Sequence, residues 1–287
     1  MAQKNGPTLR AQWLGARLRE LREAKKVKTT DAAEFLQRHP GTFGRFESGV
    51  YPIPTSDVLQ LLDLYAVSDI NQRAELVQLS EEVAQRGWWD GYKPHLNNNF
   101  ADYVWLENRA HTIHVLDINA VPGLLQTADY ASALITHGPQ QEELDSKRLI
   151  EARLIRSRIL TGNKAPRVRF LVHESALHQR VGEHAIMAAQ LQKLRDQLNA
   201  SLIELRIIPL EAWGHTAAGA WGGFTIFELP EPYPDVACTE TMAGTLYLES
   251  PDIDGFTRTY DALWTKDALD STRTVKRINA LLKELSP

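Results

Sequence analysis

The sequence predicts a two-part chain, an all-α head followed by a mixed α/β body, and three observations carry that division. Residues 14–67 repeat apolar side chains at helical spacing and break only at short turns. Beyond residue 168, short β-branched and aromatic runs alternate with amphipathic segments. Charge divides in the same way: residues 1–50 hold ten Lys or Arg against five Asp or Glu, whereas the whole chain stands at −4. A basic head on an acidic body suits phosphate at one end and protein or small molecules at the other. The expected boundaries are a polar arm at 1–12, a head at 13–80, a connector at 81–100 and the body at 101–287.

In the head, LGARLRELREAKK puts Leu14, Leu18 and Leu21 on one helical face and Arg17, Arg19, Arg22, Lys25 and Lys26 around the other. TTDAAEFLQRH predicts a second helix with Thr30 as its cap and Ala33 and Leu36 inward. PGTFGRFESG predicts a third, opened by Pro40 and stopped at Gly49. Two short helices with a tight joint form the skeleton of a helix-turn-helix. After YPIPTSD, where Thr55 or Ser56 is the expected cap, Val58, Leu61, Leu62 and Tyr65 recur at helical intervals; Leu76, Leu79 and Val83 then do so in the next helix. GWWDGYKPHLNNNF, with Trp88 and Trp89, reads as an aromatic connector.

The body opens with a helix carrying Tyr103, Leu106, Glu107, Ala110 and Ile113, which delivers the chain into a strand or extended piece around His114–Ile118. VPGLLQT turns sharply at Pro122 and Gly123, and helices follow from Thr127 or Asp129 and over 142–161. Strands are expected at Val168–Val172, around Leu205–Pro209, from Phe224, and within DVACTETMAGTLYLES, with a clear amphipathic helix at HAIMAAQLQKLRDQLNA. Two helices close the chain, the first holding Phe256, Tyr260, Leu263 and Trp264, the second Val275, Ile278 and Leu282.

Composition narrows the function. A hydrophobic content of 43% with 14 prolines excludes a mostly disordered chain. One cysteine, Cys238, leaves no internal disulfide and fits a reducing compartment. With no apolar run near eighteen residues, the expectation is a soluble, cytoplasmic protein without a membrane contact. His111 and His114 lie three apart without the further ligands a zinc site requires, and Glu107 with His111 reads as a helix-stabilising i, i+4 pair. His173 and Glu174 sit at a strand end, a position that suits chemistry in many α/β folds and equally suits a turn, and the chain shows no nucleophile motif, metal set or phosphate loop to go with them. Neither an enzyme activity nor a cofactor or metal is therefore expected. GAWGG does not have dinucleotide-loop spacing; it reads either as a turn or, with Trp213, His215 and Trp221, as the lining of a ligand or partner site. Pro122, Gly123 and Gln126 read either as a structural corner or as part of such a site.

The RFESG string and the LLDLYAV that follows give the head its resemblance: it is similar to the Cro and phage-repressor class of helix-turn-helix, the XRE family. Arg22 and Glu47 fall on that family's paired arginine and glutamate. The resemblance implies that helix three enters the major groove of duplex DNA as one half of a homodimer. The corresponding DNA-facing positions are Lys28, Thr29, Thr30, Thr42 and Arg45. Thr29, Pro40, Gly41 and Thr42 stand where the family commonly offers glutamine or serine, which leaves open a scaffold protein that keeps the fold but has weak or non-specific DNA binding. The body, through VPGLLQTADYA, LVHESALHQRVG, MAAQLQKL and the spaced residues around them, resembles the DUF5753 domain of actinobacterial regulators, including the Scr1-family antitoxin-like transcriptional regulators. That resemblance implies a sensing or partner-binding module and a small partner protein encoded nearby.

Overall fold

A computed structural model describes residues 7–84, 98–136, 143–162, 165–215, 222–241 and 244–285. The chain divides into two compact units, residues 1–103 and 104–287. The first contains α1 (Leu9–Ala24), α2 (Thr29–Phe35), α3 (Pro40–Glu47), α4 (Thr55–Leu64) and α5 (Ile70–Ala84). Helix α1 begins five residues before the first expected apolar position, inside the segment read as an arm. Thr8 caps it, its hydroxyl accepting from Ala11 N at 3.3 Å, and the buried Asp102 carboxylate accepts from Leu9 N at 2.9 Å. Thr30 is not the cap of α2: extended Lys28 holds that position, and the Thr30 hydroxyl turns to Asp31. Nor does Thr55 or Ser56 cap α4, which starts after Pro54; Thr55 instead accepts from the Ser80 hydroxyl of α5 at 2.9 Å. Leu14, Leu18, Ala33, Phe43, Val58, Leu61 and Tyr65 fill the core, each at most 1% exposed.

Helix α6 spans Asn98–Arg109, and the second unit is built on a mixed six-stranded sheet. Its strands are β1 (Thr112–Asp117), β2 (Arg167–His173), β3 (Glu204–Ile208), β4 (Phe224–Glu228), β5 (Val236–Thr241) and β6 (Gly244–Glu249), in the order β3-β2-β1-β4-β5-β6. β1, β2 and β3 are parallel, and β4, β5 and β6 are antiparallel to their neighbours. Ile113, expected on the preceding helix, is in β1 and buried. Alternation splits the central strands between two buried faces. Leu116, Leu171, Phe224 and Ile226 meet Tyr260, Leu263 and Trp264 of α11 (Asp254–Ala262) and the π turn that extends it to Asp267. Val115, Phe170, Val172, Leu205 and Phe227 point the other way and are also buried.

The remaining helices are α7 (Ala128–Thr136), α8 (Glu143–Arg156), α9 (Glu174–His178), α10 (His184–Asn199) and α12 (Ser271–Glu284). Helix α7 packs on α8, and α12 packs on α10 and β3. The inward residues of α12 are Thr274, Ile278 and Leu281, one position away from the expected Val275 and Leu282 at either end. Thr274 is fixed inward by its hydroxyl, which donates to Leu269 O and accepts from Ile207 N.

Candidate nucleic-acid interface

Three constraints set the pose of α3. Phe43 and Phe46 are buried, so their side of the helix faces the core. Helix α1 approaches at Gly15, where an added Cβ would sit 2.5 Å from Glu47 O and 2.6 Å from Phe46 O. Beside that contact, Arg22 Nε and Nη2 donate to the two oxygens of Glu47 at 2.7 and 3.0 Å, while Nη1 donates to Val27 O at 2.9 Å. The guanidinium thus ties α1, the α1–α2 turn and α3, and the carboxylate holds its pKa above the usual arginine value. Gly49 ends the helix at φ +69°, where a Cβ would meet Gln12 N at 2.7 Å, so both conformation and space call for glycine.

Away from the core, Pro40, Gly41, Gly44 and Arg45 are exposed and Thr42 is half-buried. Of the expected DNA-facing set, Lys28 and Thr30 are exposed and Thr29 is half-buried. Most arginines of this unit are neutralised locally: Arg17 by Glu20, Arg19 by Glu23, Arg38 by Asp57 and Arg73 by Asp63. Lys25, Lys26, Lys28 and Arg45 pair with no carboxylate among the described residues. Among the described residues the positive surplus therefore resolves onto the α1–α2 turn and α3. Lys25 and Lys26 were legible only as part of a general charge excess, because sequence does not say which cations are already paired. Tyr51 carried no signal at all; the structure places it against Arg45, with the phenol oxygen 2.8 Å from Arg45 Nη1.

In the second unit the expected site residues separate. Gln126 is 3% exposed and fully engaged: Nε2 donates to Val121 O at 2.7 Å, and Oε1 accepts from Arg153 Nη1 at 2.9 Å. Its carbonyl accepts from Lys193 Nζ at 2.9 Å, and burial lowers the pKa of that amine. Gln190 donates to Leu125 O and accepts from Thr127 N, and Tyr130 OH accepts from Val121 N. The VPGLLQT corner, with Pro122 buried and Gly123 opening a 3-10 turn, is thus held by hydrogen bonds to α7, α8 and α10. Near it, at the carboxyl end of β1, burial and then Glu240 push Asp117 up to about 7, against the pull of Arg153. Trp213 and His215 lie on the 3-10 turn Leu210–His215, and their side chains, like Trp88, Trp89 and Trp221, lie outside the described residues.

The other titratable candidates have structural partners. Glu107 pairs not with His111 but with Arg156, in two bonds of 2.7 and 2.9 Å; the strand that begins at Thr112 carries His111 off the helix. His114 is buried against Glu228 at 2.8 Å, and Glu174 accepts from Arg277 at 2.6 Å and Leu210 N at 3.1 Å. No group of three or more His, Cys, Asp or Glu among the described residues could hold a metal ion, and none of their helices is long and apolar enough to cross a membrane.

Comparison with protein families matches residues 13–76 to a helix-turn-helix domain and residues 100–280 to a domain of unknown function, DUF5753. No curated protein and no solved structure matches the chain. The helix-turn-helix domain points in general to DNA-binding regulation.

Proposed function

The chain belongs to the DUF5753 family, and from that premise we propose that it is a cytoplasmic transcriptional regulator that binds duplex DNA through α2 and α3 as a homodimer. The observation that carries this reading is the concentration of uncompensated cations on a helix-turn-helix whose third helix, α3, is tied to α1 by the Arg22–Glu47 pair. Lys25, Lys26 and Lys28 supply phosphate contacts, which set affinity and position, and α3 supplies the base contacts. Two-fold pairing matches two half-sites about one helical turn apart and supplies binding that one small head lacks.

The second unit, on this reading, receives a small partner protein or a ligand, in keeping with the antitoxin-like regulators its sequence resembles. The exposed, side-chain-poor surface at Pro40, Gly41 and Gly44 favours the second reading, a scaffold with weak or non-specific DNA binding. Chromatin immunoprecipitation of the chain from its host separates the two. The regulator enriches a few discrete sites sharing a two-fold motif; enrichment spread evenly over the genome supports the scaffold.

A further inference from the structure

Helix α3 carries very little with which to read bases. An added Cβ at Gly44 meets nothing within 4 Å, and at Gly41 it meets only the ring of His39, the residue that caps the helix. Neither glycine is demanded by packing within the head, and both leave bare backbone where base-reading helices carry side chains. Phe43 and Phe46 are committed to the core and Glu47 to Arg22. Arg45 is the long polar side chain that remains, and its setting differs from that of every other arginine in residues 7–84. Each of the others lies within 4.0 Å of a carboxylate; Arg45 has a neutral partner.

That partner is fixed by the backbone. The positive φ of Gly49 turns the chain back after α3, so that Tyr51 N donates to Arg45 O at 3.2 Å. The Tyr51 ring then lies under the guanidinium, 5.1 Å from its carbon to the ring centroid, while Arg45 Nη1 donates to the phenol oxygen at 2.8 Å. A phenol orients the guanidinium without cancelling its charge, and Nη2, the second N–H of Nη1 and the Nε–H of the planar fork remain for a ligand. The acceptor pair that fits such a fork on duplex DNA is O6 and N7 of guanine in the major groove.

We propose that Arg45, positioned by Tyr51, is the base-reading side chain of α3, and that the sequence preference of the protein is concentrated on one guanine in each half-site. This rests on the DNA-binding reading above. Tyr51 is a positioning residue: it acts through Arg45 and touches no base.

Selection of the full chain against a pool of randomised duplexes, read by sequencing, tests this. The wild type enriches a motif with one dominant G·C pair per half-site. Arg45→Ala and Tyr51→Ala both flatten that position by roughly 5- to 150-fold while leaving the melting temperature unchanged, since both side chains are exposed. Arg45→Lys weakens it too, having lost the fork. Tyr51→Phe, which keeps the ring and loses the hydroxyl, falls between wild type and Tyr51→Ala, and the Arg45→Ala, Tyr51→Ala double variant is no worse than Arg45→Ala alone. An unchanged guanine preference in either alanine variant, or additive losses in the double variant, overturns the proposal. A wild type that retains no duplex defeats the DNA-binding reading and this inference with it; a wild type that selects a motif indifferent to Tyr51 defeats the inference alone.

Discussion

Replacing Glu47 with alanine removes the carboxylate that satisfies two donors of Arg22. Arg22 and Glu47 side chains are only 9% and 10% exposed, so the stranded guanidinium cannot simply turn into water. Breaking one partner of a buried pair costs about 3–5 kcal/mol. The lower end applies here because Arg22 keeps its bond to Val27 O and a 3.5 Å contact with Glu23. A loss of about 3 kcal/mol is a large part of the 5–15 kcal/mol that a typical domain possesses. Hydrogen exchange of the full chain reads it locally: amides of α1 and α3 lose roughly 100-fold in protection, while the strands of the second unit keep theirs. Glu47→Gln, which retains one acceptor, loses less. Protection in α1 and α3 that changes by less than threefold in Glu47→Ala would refute the reasoning, because the pair would then be holding nothing.

Burial pushes Asp102 up to about 6, against the opposing pull of its bond to Leu9 N and of Arg10. The folded state therefore binds the proton more tightly than the unfolded one, and stability is greatest below about pH 4 for this group and falls as pH rises towards 7, by about 2–3 kcal/mol. Asp102→Asn keeps an acceptor for Leu9 N and removes this fall; urea midpoints of both proteins from pH 4 to 8 check it, and parallel curves would contradict it. Gly15→Ala drives a Cβ into the Glu47 and Phe46 carbonyls and costs about 1–3 kcal/mol, whereas Gly44→Ala, on open surface, gains up to about 1 kcal/mol; thermal melts that rank the two the other way would sink the packing argument. Glu107→Ala removes the carboxylate that takes two bonds from the largely buried Arg156 side chain and lowers stability of the second unit by about 3 kcal/mol, read as a fall in its calorimetric transition. Sedimentation equilibrium of the full chain gives a two-chain mass at micromolar concentration if an interface of standard size, about 1,600 Å², is present; a monomer throughout would contradict the homodimer.

What could be read from sequence was local. Helical spacing placed α1 to α5, and the RFESG string placed the Arg22–Glu47 tie, because the partners belong to a recurrent pattern. Strand alternation located β1, β2 and β4 within a residue or two of their ends. Features set by distant partners were not legible. Helix α1 starts at Leu9 because a carboxylate 93 positions away accepts its first N–H. Glu107 finds Arg156 across 49 positions although His111 stands one helical turn on. Gln126 lies in a corner whose distant partners come from α7, α8 and α10, and nothing in VPGLLQT itself says that its side chain is buried. In the candidate interface, Lys28, Thr42 and Arg45 were visible as types at positions, but Tyr51 was not, since its role depends on the backbone reversal at Gly49.

The most direct test of the account is the salt dependence of binding, measured by fluorescence anisotropy with the full chain, a duplex enriched by selection and a scrambled duplex of equal composition. The predicted result is tighter binding to the selected duplex at every salt concentration, with log affinity falling linearly in log salt for both and the slope reduced by about one unit for each of Lys25, Lys26 and Lys28 changed to alanine if each contacts a phosphate. Equal affinity for the two duplexes, or a slope that none of the three lysines alters, would contradict it.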